Sequence, residues 1–427
     1  MHVLGSFLAG ESVLIFLLEE LGRENDSESS VASNRVMAIV TSQPNCRQML
    51  RETLLLLLST LALLAGAPAL AASYVIKSVA GDGTAGYSGD DGPATAASLG
   101  NNPWSAAVDT IGNLYIADTG NNTIRMVDGA GVIHTVAGNG IAGFSGDGGP
   151  ATAASLNGPF AVAVNAAGEI YVADTNNNRV RKVDSKGRIS TVAGGNTFGF
   201  SGDGGPATAA TLYAPESIAL DSIGNLYIAD WGNARVRLVN PAGFISTVAG
   251  DGSNGYNGDG QLATAARISA RCVALDAAGN LYIADEENSR IRKVDSEGMI
   301  STVAGNGAFG FTGDGGPATE ASLYSPYAVA VSKFGRIFIA DFINDRIRVV
   351  DSNGVINTIA GDGIVGFSGD GGAATAAELS NLTGIAVDGA ENIYIPDGTH
   401  RIREIVSTAQ MPQRSRQSAK PAASATD

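Results

Sequence analysis

Cysteine and histidine are nearly absent from this chain of 427 residues, which has two of the first and three of the second. Two cysteines build no disulfide framework, and three imidazoles cannot supply several histidine-based metal centres. Charge is scarce as well: charged residues make up 16% of the chain, against ~25% in an ordinary soluble domain. The charge present is one-sided, with 42 acidic and 27 basic side chains and a net charge of −15. An acidic chain is a poor general binder of nucleic-acid phosphate or anionic lipid, so neither is expected as a partner. What is abundant is glycine, with 56 residues, roughly twice the usual share.

One long apolar run exists. Thr53 to Ala72 reads TLLLLLSTLALLAGAPALAA, preceded by Arg47 and Arg51 and ending in the small-x-small pattern Ala69-Leu70-Ala71. Basic, apolar and cleavage regions in that order describe a secretory signal peptide at residues 49–72. An uncleaved anchor is the rival reading, because the run is almost long enough to span a bilayer. No cysteine follows the run, which argues against a lipoprotein. Residues 1–48 are unlike the rest, rich in Ser and Glu, and read as a mis-assigned upstream segment or a disordered extension, with translation starting at Met49 or Met37. Residues 407–427 are rich in Ser, Ala, Pro and Gln, lack apolar periodicity and read as a disordered tail. The mature chain is expected to be exported, periplasmic or extracellular, and free of the membrane once the leader is cut.

Residues 73–406 repeat themselves. Val-Ala-Gly or Ile-Ala-Gly ends at Gly81, Gly138, Gly194, Gly250, Gly305 and Gly361, and strings like Asn-Leu-Tyr-Ile-Ala-Asp end at Asp118, Asp174, Asp230, Asp285, Asp341 and Asp397. A fixed period of this size means a solenoid, a propeller or an array. Each unit holds four short runs rich in Val, Ile and Tyr, separated by Gly, Asn and Asp, which read as strands. The run Leu114-Tyr115-Ile116-Ala117 is apolar on both faces, so its strand is covered from both sides. Four-stranded sheets stacked around an axis provide that environment, giving an all-β, six-bladed β-propeller. Tyr74 to Ala80 is a lone fourth strand ahead of the first unit, and Arg401 to Ile405 is a third strand with no fourth after it. The N-terminal strand is therefore expected to complete the last blade and remove the open edges.

Pro159-Phe-Ala-Val-Ala-Val-Asn and Asp174-Thr-Asn-Asn-Asn-Arg-Val-Arg-Lys-Val resemble the NHL repeat, a propeller-forming family. Thr191-Val-Ala-Gly with Gly199-Phe-Ser-Gly-Asp-Gly-Gly-Pro-Ala-Thr-Ala-Ala is similar to secreted bacterial NHL-repeat proteins and to the NHL domain of teneurins. The likeness covers all six units, with departures at Gly260-Gln261-Leu262 and after Asp397. It implies a binding scaffold more often than an enzyme, although some relatives of the fold are metal-dependent lyases or lactonases. It also implies that Ala106-Ala-Val, Val162-Ala-Val, Ile218-Ala-Leu and their counterparts are the strands nearest the axis.

Repetition sorts residues by role. A feature present in all units belongs to the blade, because an enzyme needs one site and not six. The Asp118 series, each followed by Asn121 or a counterpart, reads as an Asx turn stapled by an ion pair to Arg179, Arg235, Arg290, Arg346 or Arg401. In the Gly-Asp-Gly-Gly-Pro loops, Asp90, Asp147, Asp203, Asp259, Asp314 and Asp370 precede Pro-Ala-Thr-Ala-Ala, which reads as one or two helical turns with Pro at the first position. Calcium at these loops is the sharper alternative, but each offers one carboxylate where a calcium loop carries several. The run is no nucleotide loop, for no Lys-Ser/Thr follows. The inner strands carry no mid-strand charge. Of the histidines beyond the leader, His134 falls in an outer strand and His400 in a loop, so no zinc set of about three ligands forms. Cys272 reads as a packed thiol with no histidine beside it. No catalytic residue, metal ligand or cofactor is expected.

Two positions differ sharply between units. One, just before each inner strand, holds Trp104, Phe160, Glu216, Arg271, Tyr327 and Thr383. The other, just after the Asp118 series, includes Trp231, Glu286 and Phe342. In a propeller both fall on one face. Aromatics with isolated charges are what recognition surfaces use, and the competing reading packs them beneath the long loops. The expectation is a monomeric, non-catalytic scaffold that recognises a protein or glycan through that face. The alternative is a metal-dependent lactonase- or lyase-like enzyme at the channel mouth.

Overall fold

The computed structural model describes residues 74–195 and 197–410. The leader, residues 1–48 and residues 411–427 lie outside the described residues. Among the described residues six antiparallel sheets each carry four main strands, in sequence order from the axis outward in five of them and with the N-terminal strand outermost in the sixth. The third is typical: Pro215–Leu220, Leu226–Asp230, Arg235–Val239 and Ile245–Ala249. Two sheets gain a two-residue fifth strand at their outer edge, Gly92–Pro93 and Gln261–Leu262. Among the described residues no helix is long and apolar enough to cross a membrane.

The ring closes as the chain ends predict. Tyr74–Ala80 runs antiparallel to Arg401–Ser407, with Ile76 opposite Ile405, and this sheet continues through Ile393–Asp397 to Ala386–Val387. The first and last blades also pack directly: Ile402 and Ala386 share a cluster with Ile116 and Ile133.

The core lies between blades, which explains why the second strand is apolar on both faces. Side chains alternate across a strand. In Leu114–Asp118, Leu114 and Ile116 join the cluster shared with the sixth blade, while Tyr115 and Ala117 join Val162 and Val172 of the second blade. One strand thus feeds two cores, and each buried Ile or Val stabilises the blade stack by about 1.5–3 kcal/mol.

The glycine ending each Val-Ala-Gly is required by close approach. Gly138 has φ +87, and a Cβ there would stand 2.3 Å from the Asn122 carbonyl oxygen. The Ala-Thr-Ala segments correct the helical expectation. Each forms a single 3-10 turn, such as Ala207–Ala209, with Pro206 preceding it as the cap and not as its first residue. The turn stops there because Ala210 and Leu212 are fully buried in the core, which demands an extended chain.

Candidate functional site

Each blade is built around a fully buried arginine. Arg125, Arg181, Arg237, Arg292, Arg348 and Arg403 have no exposed surface. Arg237 shows the pattern: Nη2 donates to Asp203 Oδ1 at 2.6 Å and to the Ser201 carbonyl at 3.0 Å, and Nη1 lies 3.4 Å from Asp230 Oδ2. One guanidinium thus joins the second strand to the long loop. Asp230 also accepts the Tyr213 backbone N–H at 2.7 Å and the Asn233 side-chain amide at 2.8 Å. Burial pushes its carboxyl up to about 6, against the pull of those donors and of Arg237.

This arrangement corrects the ion-pair expectation. Asp230 is paired across the sheet with Arg235, yet the Arg235 side chain turns outward. Its guanidinium stacks 3.8 Å from the Phe200 ring and donates to the carbonyls of Asn233 and Asp251, both at 2.9 Å. The partner of Asp230 is Arg237, two residues on. The loop aspartates likewise face a guanidinium instead of starting a helix. Both oxygens of Asp147 are engaged within the protein: Oδ1 lies 2.7 Å from Arg181 Nη2 and Oδ2 accepts the Thr191 hydroxyl at 2.7 Å. The aromatic series Tyr87, Phe144, Phe200, Tyr256, Phe311 and Phe367, not singled out by sequence reasoning, covers the arginines from outside. Its sequence signal is present: an aromatic stands three residues before the loop aspartate in every unit.

The inner strands surround a channel of about 310 Å3 whose walls are Ala, Val, Ile and Leu with a few small polar residues. Trp104, Phe160, Glu216, Arg271, Tyr327 and Thr383 all line it, and they stand where each chain segment enters its inner strand. The structure therefore brings together all six residues of the first variable set. Trp104 and Phe160 stack with centroids 4.3 Å apart. Tyr327 stacks on Phe342 at 4.1 Å. Thr383 donates to the Trp104 carbonyl at 2.9 Å across the closure of the ring. These aromatics are half-buried, and Trp104, Phe160 and Tyr327 face the channel.

Among the described residues Glu216 and Arg271 are the only charged ones lining the channel. Glu216 Oε2 lies 2.8 Å from Arg271 Nε, and the Arg271 guanidinium sits 4.9 Å from the Trp231 ring and 4.4 Å from that of Tyr327. Burial pushes the Glu216 carboxyl up to about 7; Arg271 opposes the rise and Glu286 adds to it. Glu286 itself accepts a hydrogen bond from the Ser325 hydroxyl at 2.6 Å. Of the second variable set, Trp231, Glu286 and Phe342 thus stand directly behind the first. Cys272 is a free thiol packed among inner-strand residues, against Ser217 Oγ at 3.5 Å, and burial raises its pKa. His134 pairs with Asp91 at 2.8 Å on the outer strand. Among the described residues no group of three His, Cys, Asp or Glu side chains could hold a metal ion.

The model of the teneurin NHL domain matches residues 142–201 and 309–365, each one unit with its preceding loop. Teneurin-1 of Gallus gallus is 31% identical over 289 residues, covering 58% of this chain and 10% of that protein. The chain spans about a tenth of the length of the curated teneurins it matches. Among solved structures, a protein of unknown function from Bacteroides thetaiotaomicron superposes with a TM-score of 0.58 at 18% identity, covering 78% of this chain and 76% of the other. An auxiliary nutrient binding protein from Bacteroides ovatus gives 0.56 at 17%, with the same coverage; these likenesses concern the fold. Motifs, blades and ring closure agree with the family match: the chain belongs to the NHL-repeat β-propellers.

Proposed function

We propose that the chain is an exported, monomeric, non-catalytic scaffold that binds a protein or glycan through the face carrying the channel mouth. One observation carries this reading. The position before the inner strand is the one place where six otherwise similar units hold six different residues, and all six line a single channel. Selection for the blade alone gives the same residue six times, as it does for the buried arginines. Aromatic and charged side chains gathered at one mouth are the composition of a recognition surface. The leader-like segment supports export to the periplasm or the extracellular space. Solved propellers named auxiliary nutrient binding proteins show that this fold serves as a carrier of binding surfaces in other chains.

The test is a pull-down and a glycan array with the purified full chain, repeated with Trp104→Ala/Tyr327→Ala. The double variant keeps the buried arginines and the ring closure, so it should fold and lose its partner by at least about tenfold in affinity, the loss of ~1.4 kcal/mol. Partner binding unchanged in the double variant would remove the mouth from the proposal.

A further inference from the structure

Among the described residues, six fully buried arginines, one in each blade, lie against carboxylates in one shared coordination, and a seventh lies against one at the channel mouth. Each blade arginine holds two carboxylates, as Arg348 does with Asp314 at 2.7 Å and Asp341 at 3.3 Å, and most take a backbone carbonyl besides. Arg271 is the seventh, and it is incomplete. It touches a single carboxylate, Glu216, through Nε, with geometry too oblique for a hydrogen bond. Among the described residues its terminal nitrogens have no hydrogen-bond partner, and the side chain is 11% exposed. Glu286, the other carboxylate nearby, is engaged by Ser325.

The environment fixes which part of Arg271 is available. Trp231 and Tyr327 flank the guanidinium, so what remains is its edge, the edge that carries paired N–H groups. That fork matches a carboxylate in two parallel hydrogen bonds. A second donor lies close by, for the Trp231 indole N–H is buried without a partner. Glu216 Oε2 is the one buried acceptor here without a hydrogen bond, against the two donors Arg271 Nε and Trp231 Nε1, an excess of donors that favours an acceptor as the missing group. Below the mouth the walls offer apolar surface: Val108, Val164, Leu220, Leu275, Val331 and Val387 form one ring of the channel. Polar groups there are few, and Ser217 Oγ already accepts the Val273 N–H at 3.2 Å. A sugar would leave its hydroxyls unmatched against such walls.

We infer that the channel mouth is a binding site for a small carboxylic acid with an apolar body, its carboxylate taking the open edge of Arg271 and its body entering the channel. The inference goes beyond the scaffold reading, since it concerns a small ligand inside the ring, and either can fail while the other stands. Binding depends on the charge of Glu216. The groups facing that carboxyl are Arg271, Glu286 and Tyr327. Burial pushes the Tyr327 phenol up and so holds it neutral, and it raises the Glu216 carboxyl, so Glu216 is the group beside an incoming anion whose protonation burial favours. When Glu216 takes up a proton, one negative charge beside the ligand disappears.

Both tryptophans of the chain stand at this mouth, so intrinsic fluorescence reports the site selectively. Phenylacetate and octanoate, each at up to about 10 mM, should shift the emission saturably. Phenylacetamide and phenethylammonium should bind at least tenfold more weakly. Affinity for the acids should rise severalfold from pH 8 to pH 6. R271Q should lose at least tenfold. E216Q, which keeps Arg271, should bind the acids at least as tightly at pH 8 and show a flattened pH profile, and it serves as the test should R271Q not fold. Failure of both acids to bind, equal binding of the amide or the ammonium compound, or an unchanged pH profile in E216Q overturns the inference. Loss of a macromolecular partner in Trp104→Ala/Tyr327→Ala leaves it standing.

Discussion

Arg181 and Asp147 stand 2.7 Å apart, Nη2 to Oδ1, although 34 residues separate them in the chain. The contact fastens the long loop ahead of each blade to that blade's third strand. The arginine is fully buried while its loop partner is partly open to solvent. Removing one partner of such a set strands the others. R237M should leave Asp230 buried without its guanidinium and destabilise the fold by about 3–5 kcal/mol in urea unfolding. R235M loses a ring stack and two carbonyl contacts at a half-buried site, and should cost about 1–2 kcal/mol. Equal losses in the two variants would contradict the assignment of Arg237 as the blade's clamp.

Two glycines with the same backbone conformation separate strain from crowding. Gly138 and Gly148 have φ +87 and +82, but a Cβ meets the Asn122 carbonyl at 2.3 Å in the first case and nothing within 4 Å in the second. G148A should cost about 1 kcal/mol, the penalty of a left-handed alanine. G138A should cost at least ~2 kcal/mol more, because backbone must move. Thermal melts of both variants check the difference.

The pH dependence of stability at Glu216 has a definite sign. Its carboxyl rises from 4.5 to about 7 on folding. The contribution is fully present below pH 4.5 and is lost as pH rises through about 7. A rise of that size corresponds to at most about 3 kcal/mol. The stability of E216Q relative to the parent should therefore improve from pH 5 to pH 8. Denaturation curves at both pH values measure it, and a difference that stays constant or runs the other way refutes the burial argument.

Ring closure rests on a short strand with a buried centre. Ile76 is 1% exposed and lies opposite Ile405. I76K places a charge in the core between the fifth and sixth blades and should lower the melting temperature by several degrees, with higher oligomers in gel filtration from the freed edge. A monomeric I76K with an unchanged melt would show that the ring does not depend on this strand.

The blades and their closure were legible because each strand pattern occurs six times, and repetition averages out the ambiguity of any one short run. Comparison between units likewise singled out the six differing residues that line one channel. The arginine clamp was misread. Cross-strand pairing places Arg235 opposite Asp230, and that register does hold; side-chain direction decided otherwise, since Arg235 swings out onto Phe200 while Arg237 reaches in. The better signal was the arginine two residues later, which recurs in every unit even where the first is replaced by Thr123. The pairing of Glu216 with Arg271 was beyond reach, because each is unique at its position and only the ring geometry brings neighbouring blades together.

Tyr74–Ala80 finds its mate only when Arg401–Ser407 has been made. Until then every partial product has an unlatched seam, however well its finished blades are packed. A chain terminated before that strand never seals.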